Sequence, residues 1–339
     1  MTYQEVIKAA RGTMGPLCKA CEICNGVACG NHIPGPGAKG IGDVAIRNYQ
    51  KWQEYRVNMD TITEQTEICT KAEMFGRKFE LPVFAGPVGS VFMHYGEKYN
   101  DHQYNNILVS GCQKAGIAAF TGDGPDKEVF KAATKAIKKA NGCGVPTVKP
   151  WNLDTIREKM DLVKDSDALA VAMDIDAAGL PFLKNMVPPA GGKTVEELRE
   201  IVAMTDKPFI VKGVMTAAGA KKAVDAGAAA IVVSNHGGRV QDQCPATVEV
   251  LEEIVNAVKG KTTILIDGGI RTGVDVFKAL ALGADGVIIA RPFVTAVYGG
   301  EEEGVLAYVN KLKGELEDTM AMCGARTLSE INREMITKY

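Results

Sequence analysis

The residues Ser234-Asn235-His236-Gly237-Gly238-Arg239 put a titratable base and a fixed cation three positions apart on glycine-rich backbone. Imidazole takes up a proton near neutral pH, and a guanidinium holds a carboxylate through two parallel hydrogen bonds. Together they suit a small acid that must lose a proton. Alone, the motif also fits an ordinary polar turn after a strand. A second set widens the chemistry. Lys212 ends one apolar run, Asp267-Gly268-Gly269-Ile270-Arg271 follows another, and Arg291 follows a third. Glycines there let backbone N–H groups approach phosphate oxygens, and Arg271 and Arg291 can supply charge. Asp267 and Arg271 could instead form a loop ion pair. A lysine closing an apolar strand suits an anion or an electron-rich ring.

The third set is Cys18-x2-Cys21-x2-Cys24-x4-Cys29. Four thiolates at this density can close around one iron–sulfur cluster or one zinc ion. The x4 gap and the missing proline depart from the ferredoxin run, so cluster, zinc and no metal all stay open. Cys69, Cys112, Cys143, Cys244 and Cys323 are scattered and read as buried small apolar residues. His32, His94 and His102 lie in polar stretches and read as surface or hydrogen-bonded histidines. His94 and Tyr95 are the better placed to reach a site.

Eight continuous apolar runs must carry these groups: Pro82–Ala85, Ile117–Phe120, Val145–Val148, Leu169–Met173, Phe209–Lys212, Ala230–Ser234, Thr263–Asp267 and Gly286–Ala290. They do not alternate, as expected of parallel strands buried on both faces. Spacings of roughly 20–40 residues leave room for one crossover helix each. Gly116, Gly227 and Gly283 each close a helix just before a strand. Thr194-Val195-Glu196-Glu197 reads as a capping box, and Thr216 can cap the helix through Val224. Val248, Leu251, Ile254, Val255 and Val258 form one apolar stripe. The pattern predicts an α/β chain folded as a (β/α)8 TIM barrel, with its site at the carboxyl ends of the strands. The expected division is an N-terminal extension over 1–80 with the cysteines, a Gly/Pro loop at 33–40 and a hairpin from Asn58 to Phe79, then the barrel over 81–299. Two C-terminal helices over 300–339 would pack on it.

The chain has 339 residues and a net charge of −2 with mixed signs, which gives no basic face for nucleic acid. No apolar run is long enough to span a membrane, and the first residues lack a basic start before an apolar segment. Nine cysteines, an odd number, argue against a secreted disulfide framework and for a reducing cytoplasm.

Val211-Lys212-Gly213-Val214, Val232 to Arg239, Ile266 to Ala284 and Ile289-Ala290-Arg291-Pro292 resemble the FMN-dependent 2-hydroxy acid oxidases and dehydrogenases, which include glycolate oxidase and lactate oxidase. The ordered match runs from about Pro208 to Ile331, and Leu81 to Pro87 resembles the family's first barrel strand. The resemblance implies that His236 takes the substrate hydroxyl proton and Arg239 binds its carboxylate. It implies that Lys212 sits by the flavin N1/O2 edge and that Pro87 and Ser234 line the flavin site. Asp267, Gly268, Gly269, Arg271, Ala290 and Arg291 would hold ribityl and phosphate. The cysteine segment lies outside the resemblance.

Some family residues are missing. The family's third strand carries a tyrosine facing the substrate, where this chain has Thr147 or a neighbour. A second tyrosine near the N-terminus has no counterpart. The loop after strand four, Asp174 to Gly179, lacks the family's second arginine, and only 37 residues separate Asp174 from Lys212, where the family has a longer lid. The expected function is FMN-dependent oxidation of a 2-hydroxy acid by a homo-oligomer, with an electron-transfer partner if a cluster is present. An isomerase or reductase on the same barrel is the alternative, as is a non-catalytic flavin- or metal-binding subunit.

Overall fold

The computed structural model describes all residues except 65, 66, 181, 182, 184, 186, 188 and 189. Its centre is a closed barrel of eight parallel strands. They are β1 (Val83–Ala85), β2 (Ala118–Thr121), β3 (Gly144–Val148), β4 (Val171–Asp174), β5 (Phe209–Val214), β6 (Ala230–Val233), β7 (Thr263–Ile266) and β8 (Gly286–Ile289). Each matches one of the apolar runs to within a few residues. Every strand pairs in parallel with its sequence neighbours, and β8 closes on β1 through Val287, Ile288 and Ile289. Almost every strand residue is buried, because the interior takes one set of side chains and the helices cover the other.

The helices form where the caps and stripes require. Thr194 and Glu197 exchange both bonds of the capping box, and Thr216 Oγ1 accepts from the Gly219 N–H. Val248, Leu251, Ile254, Val255 and Val258 are all buried on helix Thr247–Val258.

The flanking segments differ in detail from the sequence expectation. Within the expected hairpin, the described strand pairing is Ala72–Met74 with Arg77–Phe79. Tyr55–Val57, just before the expected hairpin, pairs instead with the C-terminal strand Ile336–Lys338. The tail is not two helices. One run, Arg291–Met322, is broken at Gly300-Glu301 and followed by short turns and that strand. The pairing of a strand near residue 55 with one near 337 is a non-local contact that local periodicity does not encode.

The N-terminal segment closes over the barrel mouth. Trp52 Nε1 donates to the Gly268 carbonyl at 2.8 Å, and the Asn48 and Asn235 side chains bond reciprocally at 2.7 and 2.9 Å. Lys39 Nζ donates to the carbonyls of Gly179 and Val240. Gly269 must be glycine in this arrangement: its φ is +83°, and a Cβ would lie 2.0 Å from the Asn48 carbonyl oxygen.

Candidate functional site

A cleft opens at the carboxyl ends of the strands. Pro87 from the loop after β1, Lys212 from β5, His236 and Arg239 after β6 all line it. Asp267, Gly268, Gly269 and Arg271 after β7, with Ala290 and Arg291 after β8, complete that wall. Ser234 stands behind them, donating from Oγ to Asp267 Oδ2 at 2.9 Å and accepting from the His236 N–H at 3.1 Å. The predicted flavin and catalytic residues therefore meet at one rim. His94 and Tyr95 reach it too.

His236 has φ +56°, the left-handed region that non-glycine residues enter at a cost. Its Nδ1 lies 3.0 Å from Asp176 Oδ1, and both side chains are largely buried. Asp176 comes from the turn after β4 and was not singled out in the sequence. Arg239 Nη1 donates to the carbonyls of Gly35 and Gly37 at 2.6 and 2.9 Å. The Gly/Pro loop thus holds this arginine from outside the barrel. No carboxylate pairs with Arg239 among the described residues. Burial pulls its pKa down to about 10, which leaves it cationic at neutral pH. Burial, with Arg239 nearby, also lowers His94 to about 4, so that ring is neutral, and its Nδ1 accepts from the Gly35 N–H at 3.0 Å.

Lys212 Nζ lies 3.1 Å from Asp174 Oδ1 and 3.5 Å from Asp267 Oδ2. Burial works against its charge, but Asp174 and Asp267 outweigh it and raise its pKa. Burial likewise opposes the charge on Asp174, yet Lys149 and Lys212 hold the carboxyl below the usual range. Burial raises Asp267, with Lys212 and Ser234 pulling the other way. Asp174, Asp176 and His236 present ligand atoms within 4.8 Å of one another. Two ammonium groups already neutralise Asp174, so this cluster is an ion-pair network. Asp267 and Arg271 do not pair with each other among the described residues, which removes the loop ion pair considered above. Arg271 instead donates from Nε to the Cys24 carbonyl at 2.7 Å and from Nη1 to its neighbour Ile270. Arg291 Nη2 donates to the Gly237 carbonyl at 2.7 Å.

On the substrate side, Thr147 is fully buried and is not among the residues lining the cleft. Lys149, two residues on, lines it and pairs with Asp174 at 2.8 Å. Asp123 supports this wall, accepting from the Lys149 N–H, Trp151 Nε1 and Lys159 Nζ. In sequence, Asp174-Ile175-Asp176 at a strand's carboxyl end was the available signal for the two aspartates. Nothing local marked Lys149.

Cys18, Cys21, Cys24 and Cys29 all line one separate cavity. Tyr95 and Arg291 form walls of both this cavity and the main cleft. Of the other cysteines, Cys112, Cys143 and Cys323 are buried as expected, whereas Cys244 is half-buried and Cys69 exposed. Cys69 sits on a surface bridge to Thr327, a contact outside the core.

The FMN-dependent dehydrogenase profile matches residues 36–187 and 182–338. A peroxisomal (S)-2-hydroxyacid oxidase of Arabidopsis thaliana is 49% identical over 144 residues, 42% of this chain and 39% of that protein. The glycolate oxidase of Spinacia oleracea is 50% identical over 133 residues, 39% of this chain and 36% of that enzyme. The matched stretch thus spans under two-fifths of those relatives. Among solved structures, a mandelate oxidase variant with (S)-mandelic acid superposes with a TM-score of 0.80, at 24% identity, over 100% of this chain and 98% of that one. Another, with a monooxide FMN adduct, gives 0.72 at 27% identity over 90% and 94%. The first of these likenesses bears on the fold alone, and the profile match extends over most of the chain. This chain belongs to the FMN-dependent dehydrogenase family.

Proposed function

We propose that this chain oxidises a 2-hydroxy acid to the 2-oxo acid, with FMN bound at the barrel mouth. The observation that carries this is the His236–Asp176 pair beside an arginine, Arg239, that has no acidic partner among the described residues. A base and a carboxylate site then face one cleft.

The residues fit FMN. Asp267 Oδ1 is buried without a hydrogen-bond partner, as suits an acceptor for a ribityl hydroxyl. Gly268 and Gly269 have φ of +93° and +83°, a backbone that turns successive N–H groups toward one anion. Five cationic side chains, Lys149, Lys212, Arg239, Arg271 and Arg291, line the cleft against three carboxylates, Asp123, Asp174 and Asp267. That balance favours a phosphate and a substrate carboxylate together. No G-x-G-x-x-G follows an early strand to hold a second nucleotide, so FMN rather than FAD is the cofactor of this reading.

When bound, FMN supplies the acceptor for the hydrogen and electron pair leaving C2. The chain does the rest. Arg239 binds the carboxylate and orients the 2-hydroxyl. His236 takes the hydroxyl proton, and Asp176 holds the ring and stabilises its charged form. Lys212, which lines the cleft, would offer positive charge to the bound flavin.

The same reading includes one metal centre held by Cys18, Cys21, Cys24 and Cys29, and a partner protein that receives electrons. A cytosolic location is supported by nine free thiols, which a reducing compartment preserves. No helix among the described residues is long and apolar enough to cross a membrane. Self-association into a homo-oligomer belongs to the proposal and is read by sedimentation.

The test is chemical. Denaturation of the purified chain should release one FMN per chain, and turnover should convert the substrate hydroxyl to a ketone found by chromatography. Recovery of FAD, or a folded preparation without flavin, would overturn the proposal.

A further inference from the structure

We infer that the four-cysteine cavity holds a redox-active iron–sulfur cluster that drains electrons from the flavin site to a one-electron acceptor outside the chain. The inference rests on the flavin function proposed above.

The four thiols line a single cavity, and none is in a disulfide. The donor set is all sulfur, which suits iron–sulfur or zinc. A four-iron cluster takes each of four thiolates on a different iron.

Position supplies the second argument. The loop is anchored to the phosphate end of the flavin cleft, where Arg271 Nε donates to the Cys24 carbonyl. Arg291 and Tyr95 wall both cavities, so one layer of side chains separates cluster from cleft. On the other side, Ile23 and Val27 are 57% and 60% exposed, which brings the cysteine loop to the surface. A structural zinc has no need of this placement, between a flavin site and solvent. An electron outlet does.

The electrons balance. Oxidation of the 2-hydroxy acid releases two electrons and two protons. One proton goes to His236 and on to water, and the other leaves the flavin for water. Both electrons pass singly through the cluster to two molecules of a one-electron acceptor of the ferric or iron–sulfur carrier type, each reduced once.

The experiment uses the full chain purified without oxygen. Iron, labile sulfide and zinc are measured first. The flavin is then reduced by light with a tertiary-amine donor and no hydroxy acid, and electron paramagnetic resonance is recorded. About four iron and four sulfide per chain are expected, with a reduced-cluster signal that grows as the flavin reduces. In Cys21→Ser/Cys24→Ser, iron and signal should vanish while FMN remains, and ferricenium reduction should slow at least tenfold. Zinc in place of iron, or iron whose signal stays silent once the flavin is reduced, overturns the inference. Both are read on the unmutated chain, so a variant that fails to fold changes nothing. Because the light step needs no substrate, failure of the relay is distinct from failure of the hydroxy acid chemistry.

Discussion

Replacing Asp176 by asparagine isolates the charge that holds His236. Asparagine keeps the volume and an oxygen 3.0 Å from Nδ1, but removes the negative charge that stabilises the imidazolium once it has taken the hydroxyl proton. Both side chains are mostly buried, at 14% and 11% exposure, so solvent screens the pair weakly. A hydrogen bond to a charged group is worth about 1.5–3 kcal/mol. Coulomb attraction at ~4 Å and an effective dielectric of ~20 sets an upper bound near 4 kcal/mol. At about 1.4 kcal/mol per decade, flavin reduction by substrate should slow by ~10- to ~700-fold. Arg239, not Asp176, is assigned the substrate carboxylate, so substrate affinity should change less than threefold, and FMN content should not change. Stopped-flow reduction of the flavin over a range of hydroxy acid concentrations separates rate from affinity. A rate within twofold of the parent, or a loss confined to affinity, would refute the positioning role of Asp176.

Arg239→Lys should weaken substrate binding at least tenfold with FMN retained, since an ammonium cannot reach Gly35, Gly37 and a carboxylate in the fork geometry; an unchanged KM would remove Arg239 from the substrate. Gly269→Ala should lower Tm by several degrees and reduce FMN content, because the new methyl group meets the Asn48 carbonyl at a φ of +83°. A variant as stable and as yellow as the parent would contradict the packing described. Burial, with Arg239 nearby, holds His94 at about 4 in the fold against an ordinary 6.5, so the unfolded chain takes up the proton first as pH falls. Its contribution is therefore full above pH 6.5 and lost progressively toward pH 4, at most about 3 kcal/mol. His94→Asn should flatten that limb in urea unfolding series; identical limbs would show that other groups govern acid sensitivity.

Much of this was legible in the chain because barrel strands are local and apolar on both faces. The runs ending at Lys212 and Ser234 and the glycines before strands set the strand order, and strand order sets which loops share a rim. His236, Arg239 and Asp267 could be placed together from that alone. What could not be read depends on contacts between distant segments. Carbonyls at Gly35 and Gly37 clasp Arg239 some 200 positions away, and Trp52 caps the Gly268 turn. Asp176 looked like one more turn residue until the turn after β4 folded toward His236. The sequence leaves the substrate-facing place of the third strand to Thr147 or a neighbour; Thr147 is buried within the strand, and Lys149, just past the strand end, is the neighbour that lines the cleft. The Tyr55–Val57 pairing with the C-terminal strand has no local signal either.

The central claim is that His236 starts oxidation of a 2-hydroxy acid at a flavin held in this cleft. The direct measurement is the visible spectrum of the oxygen-free FMN-loaded chain during titration with glycolate, lactate and mandelate, beside His236→Ala. At least one acid should bleach the long-wavelength flavin band of the parent with formation of the matching 2-oxo acid, and loss of the base should slow that bleaching by about 10²–10⁴ while FMN stays bound. A flavin that no 2-hydroxy acid reduces, or one that His236→Ala reduces as fast as the parent, would contradict it.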